Sequence, residues 1–579
     1  MKVTIDNRVL EVEKGVTILD AAAQAGIKIP TLCHMHLHEL NYANKPGACR
    51  ICVVEVEGRR NLAPACKTDC TEGMVVYTHS ARVLNARRTV MELLLSNHPD
   101  ECLTCVKSGR CDLQSVAIDL GIRKVSYQGS TTHFEMDKSA SIVRNMDKCI
   151  SCRRCETACN EIQGVGALSA TNRGFGAIMG TAFEKPLTES DCVNCGQCVA
   201  VCPTGALSEN PHIDEVIAAL NDPTKTVVVQ PAPAVRVALG QEFGCEPGAN
   251  VAGKMATALR QIGFNHVFDT DFAADLTIME EGTELLGRID KALKGDKSVK
   301  LPLMTSCCPA WVLYMEKHNP DLLAHLSSAR SPQQMFGAIA KNYFAKKIGV
   351  DRKDLVVVSV MPCVAKKYEC KRPELSTNGD PDVNISITTR ELARLIRQYN
   401  IDFAKLPESE FDSPLGESTG AAVIFGVTGG VIEAAARTAY EIFTKKTLGN
   451  VDFQAIRGFD GVRVATIDFN GTPIKLGIAH GLANAQKLVD LVREGKCDLH
   501  AIEVMACPGG CIDGGGQPFH RGNGEILAKR GAGLYNADVE KKIRKSHENP
   551  DIQKLYKEFL GTPCSELSEQ LLHTHYSKK

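Results

Sequence analysis

Two adjacent cysteines, Cys307 and Cys308, follow an apolar run at 301–304 that is typical of a short buried strand. Neighbouring side chains cannot easily share one metal ion, and a disulfide between adjacent cysteines is strained. We therefore expect the two thiols to have different roles.

Two later segments have the same construction, an apolar run that ends in cysteine. They cover residues 356–363 and 502–511. Thiolates are soft ligands that favour iron–sulfur clusters or zinc. The pattern predicts a metal centre held by four cysteines from three separated segments, namely Cys308, Cys363, Cys507 and Cys511.

The composition limits the classes of protein to consider. The chain has 25 cysteines among 579 residues and is too long to be a small disulfide scaffold. Its net charge of −1 gives no electrostatic reason to bind nucleic acid. The polar N-terminus argues against a signal peptide, and the most apolar stretch, 421–432, is too short to span a bilayer. We expect a cytoplasmic protein without membrane insertion, whose thiols stay reduced and available to metals.

Residues 1–80 predict an iron–sulfur domain. Apolar alternation at 3–5 and 9–12 predicts a hairpin, and 17–23 predicts a helix that ends near Gly26. Hairpin, helix and a cysteine-bearing loop resemble the β-grasp fold of plant-type ferredoxins, which hold a [2Fe–2S] cluster. Because the first gap is longer than the plant-type spacing, a zinc site stays the alternative. The expected ligands are Cys33, Cys49, Cys52 and Cys66.

Residues 81–126 predict a small domain with one cluster. A helix is expected at 82–95, followed by His98-x3-Cys102-x2-Cys105-x5-Cys111. Three cysteines are one short of the four ligands that a [4Fe–4S] cluster usually has, and imidazole replaces thiolate in other iron–sulfur sites. We therefore expect His98 to be the fourth ligand, although a lone histidine is more commonly an ordinary surface or core residue.

Residues 127–212 contain the four-cysteine run of bacterial two-cluster ferredoxins twice, the second time followed by Pro203. In such runs the fourth cysteine ligates the other cluster. One cluster is therefore expected on Cys149, Cys152, Cys155 and Cys202. The other is expected on Cys192, Cys195, Cys198 and Cys159.

Residues 213–579 alternate between strand-like runs, such as 266–269, 355–361 and 464–469, and helix-like runs, such as 254–262 and 390–399. This alternation predicts an α/β domain with parallel sheets, in which ligands lie beyond the carboxyl ends of strands. All three cysteine motifs follow such strands. The predicted fold class is multidomain α+β and α/β: a β-grasp plant-type ferredoxin domain, a small His/Cys cluster domain, a bacterial two-cluster ferredoxin domain and a large two-lobed α/β domain.

Three motifs together resemble those of a known family. Thr-Ser-Cys-Cys-Pro at 305–309, Met-Pro-Cys-x-x-Lys-Lys at 361–367 and Met-Ala-Cys-Pro-Gly-Gly-Cys at 505–511 are similar to the three signatures of [FeFe]-hydrogenases. The resemblance extends over nearly the whole chain and is closest to the catalytic subunit of soluble, multi-subunit NAD(P)-linked hydrogenases, some of which bifurcate electrons. One departure is Ala310, where glycine is usual.

The resemblance implies an H-cluster, a [4Fe–4S] cluster joined to a two-iron subcluster that carries CO, cyanide and azadithiolate. Cys511 would bridge the two parts, Lys366 would face a cyanide, and Met361 and Met505 would form an apolar wall. Three further [4Fe–4S] clusters and one [2Fe–2S] cluster complete the expected cofactors.

The resemblance also implies a proton path. Cys307, which is not needed as a ligand, would exchange protons with the cluster, and the path would continue through Glu281, Ser327, Glu284 and Arg288. Glu281 and Glu284 share a face if 279–288 is helical, and burial would raise their pKa values. Apart from the resemblance, Glu280, Glu281 and Glu284 would more commonly be a solvated helix face.

The expected substrates are H2 and protons. The expected partners are ferredoxin, a flavin-containing diaphorase subunit that binds NAD(P) and a thioredoxin-like [2Fe–2S] subunit. No convincing Gly-x-Gly-x-x-Gly follows a strand, so this chain is not expected to bind the nicotinamide. The alternatives are an iron–sulfur relay subunit of an NADH or formate dehydrogenase, and a non-catalytic hydrogen sensor or iron–sulfur assembly protein with a hydrogenase-like domain. No role is assigned to five cysteines, Cys70, Cys245, Cys370, Cys497 and Cys564.

Overall fold

The computed structural model describes residues 1–37, 42–44, 46–296 and 298–579, and it divides into two compact units. Unit 1 comprises Met1–Glu161, Gly166–Ser190 and Val201–Ser208. Unit 2 comprises Ile162–Val165, Asp191–Ala200 and Glu209–Lys579. The predicted domain boundaries at 80, 126 and 212 are finer than this division and stay predictions. Among the described residues, no helix combines the length and apolar character needed to cross a bilayer.

Unit 1 begins with a five-stranded sheet and a helix packed on it, in agreement with the predicted β-grasp fold. Asp6 and Asn7 form the hairpin turn with positive φ angles, which Asp and Asn tolerate. The helix, Ile18–Gln24, is capped by Thr17, whose hydroxyl accepts from the Asp20 backbone N–H. The strands of the sheet are Lys2–Ile5, Arg8–Glu11, Val53–Val56, Ala63–Pro64 and Val75–Tyr77.

The remainder of unit 1 consists of short elements. Its helices are Ala81–Ser96, Asp112–Asp119 and Arg154–Thr157. Its antiparallel strand pairs are Met35–Leu37 with Tyr42–Asn44, Asp137–Lys138 with Ile142–Arg144, and Ser169–Thr171 with Ile178–Gly180. The strand Leu207–Glu209 contains the last two residues of unit 1 and the first residue of the next segment of unit 2.

Unit 2 contains two four-stranded sheets. The first is parallel throughout, in the order His266–Val267, Thr226–Pro231, Leu355–Met361 and Ile385–Thr388. The second has the order Leu303–Met304, Ala501–Met505, Thr472–His480 and Val462–Phe469, and its last strand is antiparallel to its neighbour. Apolar central strands are typical of parallel sheets that are covered on both faces.

Two predicted strands of unit 2 are shorter in the structure. The run at 301–304 pairs only from Leu303, because Pro302 has no N–H to donate to a neighbouring strand. The run at 266–269 ends at Val267, because Asp269 instead caps the next helix by accepting from the Asp271 backbone N–H. The predicted strand 464–469 forms from Val462 as the antiparallel edge of its sheet.

Helices surround the two sheets of unit 2. The longest, Thr270–Leu293, is buried along most of its length and carries the acidic residues singled out in the sequence. The others include Ile213–Asn221, Ala252–Ile262, Pro309–His318, Pro332–Ile339, Ala345–Lys347, Ala365–Glu369, Thr389–Gln398, Gly420–Val423, Gly430–Thr444, Leu482–Arg493, Gly524–Glu540, Pro550–Leu555 and Glu566–Leu572. The short helix Gln197–Val201 belongs to unit 2 except for its last residue, at which unit 1 resumes along the chain.

Candidate metal centre and proton relay

The three cysteine motifs of unit 2 meet at one cavity. Each motif directly follows the carboxyl end of a strand: Leu303–Met304, Leu355–Met361 or Ala501–Met505. The strands belong to both sheets, so their ends bring residues distant in sequence together. The cavity is lined by all four predicted thiols, Cys308, Cys363, Cys507 and Cys511, and by Cys307, Lys366, Met361 and Met505.

The cavity is larger than a water site and depends on glycines in its walls. It offers about 80 Å³ to the centres of water-sized molecules, several times what one ordered water needs. A Cβ atom at Gly510 would lie 2.7 Å from the Thr428 backbone nitrogen and 2.8 Å from the Met505 sulfur. A Cβ atom at Gly514 would lie 2.1 Å from the Pro362 carbonyl oxygen. The cysteine loops can therefore approach this closely only because these positions have no side chain.

The four cavity thiols can all ionise only if a cation lies beside them. Burial, followed by the charge of Cys308, raises the pKa of Cys363 to about 12. Burial and the neighbouring thiols also raise the pKa values of Cys507 and Cys511. Four thiolates in one closed cavity repel one another unless a metal cluster supplies positive charge. The set of donors and the room beside it therefore fit a [4Fe–4S] cluster with a further small metal group.

Lys366 is one of the few charged groups at the cavity wall. Its Nζ donates to the Cys307 carbonyl oxygen at 3.1 Å and to Glu369 Oε2 at 3.0 Å. Burial acts to lower the pKa of Lys366, but the charge and hydrogen bond of Glu369, together with the charges of Cys363 and Cys307, outweigh it and the pKa is raised. The ammonium is therefore held charged beside the thiols. Sequence reasoning missed Glu369, although its position three residues after Lys366 in a helical segment was a usable signal.

The second lysine of the same motif has a different environment. Lys367 is fully buried, 2.8 Å from Glu391 Oε2, and also donates to the Ser386 carbonyl oxygen at 2.9 Å. Glu391 in turn caps the helix Thr389–Gln398. The double lysine therefore separates into one residue at the cavity and one in a buried ion pair.

We predict that Lys367→Met lowers stability while leaving the cavity residues in place. Removing the ammonium leaves the buried Glu391 carboxylate without its cation, which lowers the free energy of unfolding by about 3–5 kcal/mol. The measurement is the apparent thermal unfolding temperature, with Lys371→Met, at an exposed position, as the control. Equal unfolding temperatures for the wild type and Lys367→Met would contradict the structural role.

The predicted proton path lies along the helix Thr270–Leu293. Burial, then the charge of Glu284, raises the pKa of Glu281 to about 8, and the Ser327 hydroxyl hydrogen-bonds to the Glu281 carboxyl. Ser327 Oγ also donates to Glu284 Oε2 at 2.8 Å, and Arg288 Nη2 donates to Glu284 Oε1 at 2.6 Å. Glu281 also raises the pKa of the Cys307 thiol, after burial itself. The structure therefore brings all five residues into one series.

The alternative of a solvated helix face is wrong for Glu280 and Glu281. Glu281 is 5% exposed and Glu280 is fully buried. Glu284 is partly buried and is bonded to Arg288. Because two of the three acids lie in the protein interior, their side chains need specific partners.

Glu280 connects this helix to the C-terminal segment, a role that sequence reasoning missed. Its carboxylate accepts from the Tyr556 hydroxyl at 2.5 Å, from the Ser568 hydroxyl and from the Cys564 backbone N–H at 2.8 Å. His573 Nε2 lies 3.0 Å from the same carboxylate, and its Nδ1 lies 2.8 Å from Ser328 Oγ. The C-terminal segment thereby positions the loop that carries Ser327. The adjacent acids at 280 and 281 gave no sign that they face different partners.

The first cysteine set of unit 1 forms a buried quartet. Cys52 Sγ lies 3.4 Å from Cys66 Sγ, and the Cys33 thiol is within hydrogen-bonding range of the Cys49 and Cys66 thiols. These are the four predicted [2Fe–2S] ligands. Cys70 is also buried, and the charges that act on its thiol are those of Asp69 and Asp20.

One of the two ferredoxin-type cysteine sets lies entirely in unit 1. Cys149, Cys152, Cys155 and Cys202 line one small cavity, together with Met146 and Met179. The structure therefore places the last cysteine of the second run with the first three of the first run, as the crossed ligation pattern requires. The other predicted set is divided between the units, with Cys159 in unit 1 and Cys192, Cys195 and Cys198 in unit 2, and it stays a prediction.

His98 has the properties of a neutral ligand. Burial, then the charge of Lys148, lowers its pKa to about 4, so the imidazole is neutral at pH 7, the form that binds metals. Within the part of the chain that the structure describes, its buried Nδ1 has no hydrogen-bond partner. Cys105 and Cys111 interact electrostatically, whereas Cys102 is exposed.

We predict that His98→Ala lowers the iron content by about one [4Fe–4S] cluster per chain, because three thiols are one ligand short. Iron analysis and electron paramagnetic resonance of the reduced protein measure the loss. His133→Ala is the control, since His133 is exposed and pairs only with Asp147 among the contacts described. Equal iron contents in the two variants would remove His98 from the ligand set.

Comparison with protein-family models assigns every large part of the chain. Residues 225–515 match the C-terminal domain of the iron-only hydrogenase large subunit, and 524–579 match the iron hydrogenase small subunit. Residues 1–81 match a 2Fe-2S iron-sulfur cluster binding domain. Residues 87–126 match the NADH-ubiquinone oxidoreductase-G iron-sulfur binding region, and 139–208 match the ferredoxin-like domain of NADH-quinone oxidoreductase subunit 3.

Individual relatives cover the same length. The chain is 61% identical over 580 residues to the NADP-reducing hydrogenase subunit HndD of Solidesulfovibrio fructosivorans. That alignment covers 100% of this chain and 99% of the relative. The chain is 38% identical over 585 residues to iron hydrogenase 1 of Clostridium pasteurianum, covering 100% of both. Among solved structures, the [FeFe]-hydrogenase HydA1 from Chlamydomonas reinhardtii is 41% identical with a TM-score of 0.57, covering 64% of this chain and 99% of that chain.

Two domains of the N-terminal third match domains described for NADH oxidoreductases. These matches explain why that third alone is also compatible with a relay subunit of a dehydrogenase. The matched hydrogenase domain contains the cavity that is lined by the four cysteine thiols. The chain therefore belongs to the [FeFe]-hydrogenase family and is an iron–sulfur oxidoreductase with a hydrogenase catalytic domain.

Proposed function

We propose that this chain is the catalytic subunit of a multi-subunit hydrogenase that interconverts H2 with protons and electrons. The observation that carries the proposal is the cavity at which four cysteine thiols from three loops meet, with the Cys307 thiol and the Lys366 ammonium beside them. The relative HndD, a subunit of an NADP-reducing hydrogenase, supports a multi-subunit assembly that delivers electrons to NAD(P).

Cys308, Cys363, Cys507 and Cys511 would hold the [4Fe–4S] part of an H-cluster, with Cys511 shared with its two-iron part. When bound, this group supplies the metal chemistry that splits H2 and forms it again from protons and electrons. Met361 and Met505 would exclude water from the remaining wall, since both line the cavity with apolar surface. Lys366 would orient an anionic ligand, because its ammonium is held in place by Glu369.

Cys307 would exchange the proton with the cavity. Burial, then the charge of Glu281, raises the pKa of its thiol and keeps it neutral, so a proton received from the cavity side would be balanced by the proton that the thiol gives to Glu281. Glu281 is the next group, and its pKa of about 8 suits transfer near neutral pH. Ser327 and Glu284 would continue the path to Arg288, whose other donors reach the carbonyl oxygens of Lys300 and Ala324.

Electrons would travel by the iron–sulfur domains. We propose one [2Fe–2S] cluster and three [4Fe–4S] clusters in addition to the H-cluster, the second ferredoxin-type cluster being held by Cys192, Cys195, Cys198 and Cys159. The proposed domains are 1–80, 81–126, 127–212 and 213–579. The proposed partners are ferredoxin, a flavin-containing NAD(P)-binding diaphorase subunit and a thioredoxin-like [2Fe–2S] subunit, in the cytoplasm.

The test of the proposal is infrared spectroscopy of protein produced with the H-cluster maturation machinery, together with H2 turnover. We expect bands of metal-bound CO and cyanide, and H2 production with a reduced dye. Absence of these bands from protein with a full complement of iron would contradict the proposed cofactor. Bands without turnover would favour a non-catalytic hydrogen sensor.

We predict that Cys307→Ser retains the infrared bands and the iron content but loses most H2 turnover, about 100-fold or more. The hydroxyl is a far weaker acid than the thiol and so a poor proton donor at this position. Cys497→Ser, remote from the cavity lining, is the matched control and should keep wild-type turnover. Wild-type rates in Cys307→Ser would remove this thiol from the mechanism.

We predict that Glu281→Gln lowers turnover by about 100-fold or more, because the amide cannot relay a proton. In the wild type, Glu281 is protonated below pH 8 and ionised above it, so turnover should change across pH 7–9. The variant should lose this inflection. Glu494→Gln, at an exposed position, should keep it, and an unchanged pH profile in Glu281→Gln would contradict the relay.

A further inference from the structure

Three side chains of unit 1 outside the cysteine quartet have the arrangement of a metal site. One ligand atom each from Asp20, His34 and His36 lies within 4.8 Å of the other two. His36 Nε2 is 3.2 Å from Asp20 Oδ1, and the two imidazole rings lie edge to face with centroids 4.9 Å apart. Ligands at about 2.0–2.2 Å from a tetrahedral ion are separated by roughly 3–3.5 Å, so small side-chain movements would close the site.

The local fold explains why these residues meet. Successive side chains of an extended segment alternate between faces, so His34 and His36, beside and in the strand Met35–Leu37, are on the same face. Asp20 lies in the first turn of the helix Ile18–Gln24. The Thr17 hydroxyl donates to Asp20 Oδ2 at 2.7 Å, which leaves Oδ1 towards His36. A hydroxyl that orients a carboxylate ligand in this way is typical of metal sites.

The backbone that carries the histidines is anchored. The His34 carbonyl oxygen accepts from Arg154 Nη2 at 3.1 Å and from Thr31 Oγ1 at 3.4 Å. The preceding carbonyl oxygen, of Cys33, accepts from Asn44 Nδ2 at 2.6 Å. His34 is buried, whereas the His36 side chain is 59% exposed, so an ion could enter from solvent. The backbone that carries His34 is therefore held in place before an ion arrives.

We propose that Asp20, His34 and His36 bind a divalent transition-metal ion, with Zn²⁺ as the probe ion. Two imidazoles and one carboxylate suit zinc and similar first-row ions, whereas magnesium and calcium prefer oxygen ligands throughout. The site contains no thiol and differs from the quartet into which the Cys33 thiol is directed. The ion ties the first helix to the segment that carries Cys33.

The experiment uses the full chain with its iron–sulfur clusters, dialysed against a chelator and then titrated with Zn²⁺ alone. Calorimetry and metal analysis should show one ion bound at this site, and zinc X-ray absorption should show nitrogen and oxygen neighbours at about 2.0–2.1 Å without sulfur. His36→Gln and Asp20→Asn should weaken binding at least about tenfold, because each removes a ligand.

His79→Gln is the matched control. His79 is an exposed histidine of the same domain, with Nδ1 3.3 Å from Asp6 Oδ2. The substitution therefore removes a His–Asp pair that does not belong to the proposed site. This variant should bind Zn²⁺ like the wild type, and all variants should retain the wild-type iron content. Equal affinity of His36→Gln and the wild type would overturn the proposal. So would sulfur neighbours at about 2.3 Å, which would place the ion on cysteines.

Discussion

Electrostatic repulsion among thiolates that share one cavity is the constraint on the cysteine site of unit 2. Burial and mutual proximity raise the pKa values of Cys363, Cys507 and Cys511, so the thiolate forms are stable there only with a cation between them. Two sheets direct strand ends to one place, and glycines such as Gly510 and Gly514 let the loops approach. Most of the surrounding wall is apolar, which preserves the low dielectric that makes the metal charge effective.

The buried helix Thr270–Leu293 carries two adjacent acids that are buried in different ways. Glu281 has a raised pKa beside Ser327, while hydrogen bonds from the C-terminal segment hold the pKa of Glu280 below its usual range despite burial. That segment matches a family described as the iron hydrogenase small subunit, and His573 within it lies within hydrogen-bonding distance of Ser328. The C-terminal segment is therefore bonded to the loop that carries Ser327, a residue of the proposed proton path.

Burial raises thiol pKa values in unit 1 as it does at the cavity of unit 2. The cysteine sets of unit 1 lie in tight loops, and burial raises the pKa of Cys152 to about 12. His98 departs from this pattern, because burial lowers its pKa to about 4 and favours a neutral imidazole, whereas burial raises the pKa of the Cys152 thiol. A set of donors with one neutral member would carry less negative charge than four thiolates, and net charge is one determinant of the potential of an iron–sulfur centre.

The sequence by itself predicted the ligand sets, because metal coordination favours short spacings between cysteines, and apolar periodicity predicted many of the strands and helices. The resemblance to a known family, rather than spacing, indicated Lys366 and the acids of the proposed relay. Only the tertiary structure decided that Lys367 is a buried partner of Glu391 rather than a second cavity residue, and that Glu280 faces the C-terminal segment. These outcomes depend on contacts between residues far apart in the chain, and spacing along a sequence carries no information about which distant side chain will neutralise a buried charge.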